Sequence, residues 1–160
     1  MRHGILSPTV LVADDNPDDC LLTMRAWEES QLQWDVRFVH DGRDLLDYLF
    51  RRGKYRKQID LPHPHLILLD LNMPKKDGRQ ALLEIQANPL LQHIPIVVFT
   101  DSTCPNDAMV SEGYGAFDFF TKPSSFIEYV QLITGLGKSL DPRKGVLSRG
   151  ATHFRAPISA

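Results

Sequence analysis

Thr9-Val10-Leu11-Val12-Ala13-Asp14-Asp15-Asn16-Pro17 is the stretch on which the fold turns. It opens as a continuous run of apolar or β-branched side chains, the pattern of a strand covered on both faces. The run stops at two carboxylates. Asn16 is a good helix N-cap. Pro17 suits the first helical position, where a missing N–H costs nothing. A buried strand therefore passes straight into a helix. The spacing of Leu21, Met24 and Trp27 extends that helix over about 17–31.

The same unit recurs on either side of the long polar loop 54–64. Val36-Arg37-Phe38-Val39 reads as a second strand, broken by Asp41-Gly42. Leu45, Leu46, Leu49 and Phe50 mark the helix after it, with Gly53 as its stop. His65 to Asp70 is the third and most hydrophobic strand. Met73-Pro74 and Asp77-Gly78 are turn signals, and Ala81, Leu82 and Ile85 give a third helix that ends before Pro89. Ile94 to Thr100 is the fourth strand; a polar loop from Asp101 to Asn106 leads to a short helix ending near Gly113. Ala116 to Phe120 is the fifth. Ser124 or Ser125 caps the last helix, which points Ile127, Val130 and Ile133 inward and ends at Gly135 and Gly137. Strands alternating with helices pair in parallel through right-handed crossovers. The expected fold is an α/β, flavodoxin-like (βα)5 doubly wound sandwich of strand order 2-1-3-4-5. Residues 1–7 are expected to be a tail, 8–138 one domain, and 139–160 a polar tail with no effector domain.

Composition narrows the function. Eighteen basic against twenty acidic residues leave a net charge of −2, which argues against a general nucleic-acid binder. Hydrophobic content of 42% with 24% charged residues is that of a globular domain. Cys20 and Cys104 are too few for a disulfide scaffold and are read as unpaired packing residues in a reducing, cytoplasmic compartment. No apolar run is long enough to span a membrane or to serve as a secretory signal.

Ligands of doubly wound folds bind at the carboxyl ends of the strands. Those ends here carry Asp14 and Asp15, Asp70, Thr100 and, just past the fifth strand, Lys122. Three crowded carboxylates repel unless a cation intervenes. An all-oxygen set favours Mg²⁺, or Mn²⁺ in its place. A hydroxyl and an ammonium beside such a centre suit the oxygens of a transferring phosphoryl group, with Asp70 as the nucleophile. Taken singly, Asp14 and Asp15 are helix-capping acids and Lys122 a surface lysine. Only the set carries the message.

Other clusters are weaker. Arg51, Arg52, Lys54, Arg56 and Lys57 read as a solvated helix end or as a docking patch for an acidic surface. His63-Pro64-His65 lacks a third ligand and reads as loop. Phe117, Phe119, Phe120, Phe126 and Tyr129 cannot all share one core, since strand residues alternate faces. The surplus fits a subunit interface.

Asp14-Asp15, then Asp70-Leu71-Asn72-Met73-Pro74 with Asp77-Gly78, then Thr100, then Lys122-Pro123 resembles the receiver domain of two-component response regulators over about residues 8–138. The resemblance implies that Asp70 accepts a phosphoryl group from a phosphohistidine on a histidine kinase. It implies that Asp14, Asp15, Asp70 and the Asn72 backbone carbonyl hold the metal and that Lys122 contacts the phosphoryl oxygens. Thr100 and the aromatic Phe119 would form the switch, and Pro123 would follow a cis peptide. The only turnover expected is phosphotransfer to the chain's own Asp70. The loop 54–64, Arg51-Arg52-Gly53-Lys54-Tyr55 and the stretch Asp70 to Arg79 resemble, in overall texture, the small single-domain regulators of cyanobacterial and bacterial phytochrome kinases. That narrower likeness implies light signalling and a homodimer through the fourth helix, fifth strand and fifth helix. Asp101 departs from the pattern, which usually has a small residue after the threonine, and is expected to slow uptake from small phosphodonors or to alter dephosphorylation. Two rival functions are a phospho-independent adaptor and an Asp-nucleophile phosphohydrolase. The second needs an acid where Asn72 stands.

Overall fold

A computed structural model describes residues 7–144 of the chain. Five parallel strands, β1 (Thr9–Ala13), β2 (Asp35–Val39), β3 (Leu66–Leu69), β4 (Ile96–Thr100) and β5 (Asp118–Thr121), form one sheet of order β2-β1-β3-β4-β5. Five helices join them: α1 (Pro17–Ser30), α2 (Gly42–Phe50), α3 (Gly78–Gln86), α4 (Pro105–Gly113) and α5 (Phe126–Ser139). The two-residue period of a strand splits the core in two. Leu11, Ile67, Leu69, Ile96 and Val98 pack with α2 and α3 on one face. Val10, Val12, Leu66, Leu68, Val97 and Phe99 pack with α1 and α5 on the other. The three central strands are therefore buried along their whole length, as their unbroken apolar runs predict. No helix among the described residues is long and apolar enough to cross a membrane.

Several local expectations shift. The buried face of α1 is Cys20, Thr23, Ala26 and Trp27, while Leu21 and Met24 stand 43% and 40% exposed. The helix is turned by about one residue because small Cys20, Thr23 and Ala26 allow closer approach to the sheet than leucines would. Of the residues expected inward on α5, Ile133 is buried and Val130 half-buried, but Ile127 points outward at 70% exposed, and Tyr129, Leu132 and Leu136 complete the buried face. Gly135 and Gly137 do not end α5. It runs on to Ser139, and Leu140 and Asp141 beyond it are also buried. Gly137 is a packing glycine: a Cβ there would lie 2.4 Å from Leu32 Cδ1 and 3.0 Å from Trp27. The stop of α2 is Arg51 in the left-handed region (φ 55°), not Gly53. Residues Gly53–Tyr55 form a 3-10 turn with Tyr55 buried. The loop after it is pinned where the Tyr48 hydroxyl donates to the Pro62 carbonyl at 2.8 Å and Arg51 donates to that of Leu61 at 2.6 Å. Both cysteines are unpaired; Cys20 is buried, whereas Cys104 is exposed.

No peptide bond among the described residues is cis, so Lys122–Pro123 is trans and the expected cis bond is absent. Trans is the intrinsically favoured isomer of an X-Pro bond by about 0.5–1 kcal/mol. Residues 122–124 carry the chain from β5 to Ser125, the N-cap of α5, without it.

The Gly137 contact is testable. Gly137→Val should lower unfolding free energy by about 1–3 kcal/mol, the usual cost of overpacking. An unchanged urea midpoint would show that α5 does not press on α1 at this point.

Candidate functional site

The sheet sets the site's backbone before any side chain acts. Ladder bonds continue past the strand ends: Asp14 N–H donates to Val39 O at 3.0 Å, Asp70 N–H to Ala13 O at 2.9 Å, and Lys122 N–H to Thr100 O at 2.8 Å. Each of these three residues is thereby fixed by a neighbouring strand. The parallel register brings their side chains to one edge.

Lys122 is the hub. It is 8% exposed. Its Nζ lies 2.7 Å from Asp14 Oδ2, 2.8 Å from Asp19 Oδ2, 3.2 Å from Asp70 Oδ2 and 3.9 Å from Asp101 Oδ2. Burial alone would push this amine down. The hydrogen bonds to Asp14 and Asp19 and the charges of Asp14 and Asp70 outweigh it and hold Lys122 well above the ordinary lysine range. The ammonium is therefore permanent. Burial pushes the Asp14 carboxyl up, aided by the charge of Asp70, against the opposing pull of Lys122 and of the Asn16 N–H.

Asp70 is also buried. Its Oδ2 faces Lys122, while Oδ1 accepts from the Thr100 hydroxyl at 2.8 Å and from the Asn72 N–H at 3.2 Å. The Thr100 hydroxyl thus already points at Asp70. Asp14 is held in the same way, with Oδ2 on Lys122 and Oδ1 on the Asn16 N–H at 2.9 Å. Its backbone carbonyl lies 3.1 Å from His40 Nδ1 and accepts from the Cys20 thiol at 3.4 Å. Burial and the nearby Asp14 charge push that thiol up to about 11, so Cys20 stays protonated and packs rather than reacts.

Asp14, Asp15 and Asp70 each offer an oxygen within 4.8 Å of the others, and Asp15 is the solvent-facing member. Three carboxylates with one side open to water fit a hard divalent cation that keeps part of its hydration shell. No nitrogen or sulfur donor belongs to this cluster.

Asp19 joins the site although the sequence marks it only as an acid in a helix's first turn. The Asn16 cap accepts from the Asp18 and Asp19 N–H groups and so aims this turn at Lys122. Phe119 does not enter the polar cluster; it is half-buried on the α2–α3 core. The Asp101 side chain stands 71% exposed at the rim. His63 and His65 do not form a metal site. His65 Nδ1 accepts from the Thr9 N–H at 3.0 Å, at the opposite edge of the sheet, and His63 Nε2 lies 3.1 Å from Arg51. Within the basic cluster, Arg52 pairs with Asp47 at 3.4 Å and stacks on Phe50, and Lys54 pairs with Asp44 at 3.2 Å.

Removing one partner from a buried ion network leaves charge uncompensated. Lys122→Met should therefore lose about 3 kcal/mol or more of unfolding free energy in metal-free buffer. Millimolar Mg²⁺ should recover part of it by replacing the missing cation. Urea melts with and without the metal test this; equal midpoints for variant and parent would rule out Lys122 as the structural counter-ion.

The site's geometry agrees with three comparisons. Residues 10–134 match the response regulator receiver domain family. The chain is 33% identical over 127 residues to response regulator Rcp1 of Synechocystis sp., spanning 79% of this chain and 84% of that protein. The crystal structure of Mn²⁺-bound Rcp1 superposes with a TM-score of 0.74 at 32% identity, covering 82% of this chain and 92% of the other. That of the phosphorylated cyanobacterial phytochrome response regulator RcpA gives 0.76 at 33%, with the same coverage of 82% and 92%. With the family match spanning most of the chain and the carboxylate, hydroxyl and ammonium groups gathered on one sheet edge, this chain belongs to the response regulator receiver domain family.

Proposed function

We propose that this chain is a phosphorylation-driven switch that takes a phosphoryl group on Asp70 from a phosphohistidine of a histidine kinase. The supporting observation is the environment of Asp70, buried between a hydroxyl donor on one oxygen and a permanent ammonium on the other. A carboxylate oxygen of Asp70 attacks phosphorus in line. The P–N bond breaks, and its electron pair leaves on the imidazole nitrogen. Lys122 meets the negative phosphoryl oxygens from one side and the Thr100 hydroxyl turns to another. Asp14, Asp15, Asp70 and the Asn72 carbonyl would hold a divalent ion, Mg²⁺ or Mn²⁺, which would supply charge neutralisation at the phosphoryl oxygens. Phe119 lies beside Val98 in the β4–β5 register, next to the strand that carries Thr100, and is the aromatic that follows its movement.

The new dianion is a local charge event; its readout is a change in packing at α4 and β5. Met109, Phe126 and Ile127 stand 72%, 40% and 70% exposed on α4 and α5. They suit a homodimer through α4, β5 and α5. The likeness to a phytochrome response regulator supports a phytochrome kinase as donor, hence a light-sensing pathway in the cytoplasm. A phosphohydrolase is disfavoured because Asn72 cannot protonate a leaving group. A phospho-independent adaptor has no use for the complete set of Asp15, Asp70, Thr100 and Lys122.

Mg²⁺-dependent labelling by acetyl phosphate or a kinase should vanish in Asp70→Asn; persistent acyl-phosphate labelling of that variant would refute the assignment. Asp101 places a further carboxylate 3.9 Å from Lys122, where it repels an incoming dianion. Asp101→Ala should take label from acetyl phosphate faster than the parent, and equal time courses would remove Asp101 as a modulator.

A further inference from the structure

Helix α4 is fastened in an unusual way. Its buried residues are Asp107 and Ser111, both polar, and Met109 faces solvent. Its N-cap, Cys104, makes no side-chain capping bond. Its apolar contribution is limited to half-buried Ala108 and Val110, a weak form of the stripe that ordinarily anchors a surface helix. A charged network supplements it. Asp107 Oδ1 accepts from Arg79 Nε at 3.1 Å and from Nη2 at 2.7 Å. Arg79 also donates to Asp77, the N-cap of α3, at 3.0 Å. The other oxygen of Asp107 accepts from the Ser102 hydroxyl. The first turn of α4 is thus clamped to the first turn of α3 and to the β4–α4 loop.

That loop leads directly to the phosphoacceptor. Ser102 N–H donates to Thr100 Oγ1 at 3.3 Å, and Thr100 in turn donates its single hydroxyl proton to Asp70 Oδ1 at 2.8 Å. With the N–H on one lone pair, the hydroxyl proton has to point elsewhere, and Asp70 is where it points. The hydrogen bonds from Ser102 and Arg79 hold the Asp107 carboxyl below the usual carboxylate range, so it remains an acceptor at neutral pH. Solvent screens this pair less than a fully exposed one, since the Asp107 side chain is 11% exposed and that of Arg79 29%.

We infer that Ser102, Asp107 and Arg79 are positioning residues for the chemistry at Asp70, aiming the Thr100 hydroxyl and tying the first turn of α4 to it. The inference rests on Asp70 as phosphoacceptor. When Thr100 exchanges Asp70 for a phosphoryl oxygen, Ser102 follows through its N–H and pulls on Asp107. Arg79, braced on Asp77, holds the α3 side still. The fully buried residues of α4 are both polar, whereas α3 buries Ala81, Leu82 and Ile85, so α4 is the part that yields.

The test uses the full chain and its Ser102→Ala, Ser102→Thr and Asp107→Asn variants. It reads the acetyl-phosphate labelling rate with Mg²⁺, amide exchange in α4 and, as controls, Mn²⁺ affinity and the urea midpoint. In labelling, an Asp70 oxygen attacks phosphorus and acetate leaves. Ser102→Ala should slow labelling about three- to tenfold, the range one hydrogen bond spans, and should raise exchange in the first turn of α4. Mn²⁺ affinity should not change. Ser102→Thr, which keeps the hydroxyl, should restore the rate; a merely structural defect would not be rescued this way. Should Ser102→Ala not fold, Asp107→Asn, which keeps an acceptor but removes the charge, should show the same two changes. Labelling within twofold of the parent together with unchanged α4 exchange overturns the inference, and so does a slow rate that threonine fails to rescue. An unlabelled parent would instead defeat the Asp70 assignment, leaving the α4 exchange comparison to judge the tether by itself.

Discussion

A permanent ammonium buried among carboxylates is the constraint on which this structure depends. Lys122 reaches Asp14, Asp19 and Asp70 within 3.2 Å while itself almost wholly buried. None of the three acids has another cation at comparable distance among the described residues, and three carboxylates at one sheet edge repel strongly without one. The ion network ties β1, α1, β3 and the end of β5 to one point. It also leaves the edge ready for a further cation or for an anion. A divalent ion would share the carboxylate oxygens that Lys122 does not saturate, and a phosphoryl group would share the ammonium.

The sheet makes such a cluster possible. Asp14 and Asp70 follow the buried, largely apolar strands β1 and β3, Lys122 follows β5, and each has its backbone N–H on a neighbouring strand. Desolvated polar groups tolerate this position because the apolar strands below them are close-packed and their own hydrogen bonds are made. The two faces behave differently above the sheet. Helices α1 and α5 meet closely, with Gly137 against Leu32 and Trp27, and Phe99 edge-on to Tyr129 at 5.4 Å. Helix α4 has no comparable apolar contact and relies on Arg79 and Ser102. Rigidity on one side and a polar fastening on the other give the fold a preferred place to move.

Much of this was legible in the residues. The apolar runs at 9–13, 66–69 and 96–100 give parallel, two-faced strands, because alternation is absent where both faces are covered. Asn16-Pro17 and Ser125 mark helix starts, and each makes the cap its chemistry suggests. Helix phase was harder to read. On α1, Leu21 and Met24 look like the core stripe, yet the small residues beside them face the sheet, since which stripe fits is settled by the surface it packs on. The glycines of α5 mislead for a similar reason. Their small size serves a neighbouring helix, and the helix tolerates their backbone freedom.

Local pattern in the residues pointed to the alternating parallel fold, to the sheet edge where polar groups gather, and to Asp14, Asp15, Asp70, Thr100 and Lys122 as the residues at that edge. These follow from strand-helix alternation and from what stands at each strand's carboxyl end, neither of which needs long-range detail. Packing of the whole chain was needed to show that Asp19 completes the cage around Lys122, that Lys122–Pro123 is trans, and that α4 is linked from Arg79 through Asp107 to Ser102. Those outcomes depend on residues brought together from separate elements, such as Arg79 and Asp107 at 28 positions apart. No period or motif encodes such a meeting; it exists only once both cores have packed and fixed the distances between helix ends.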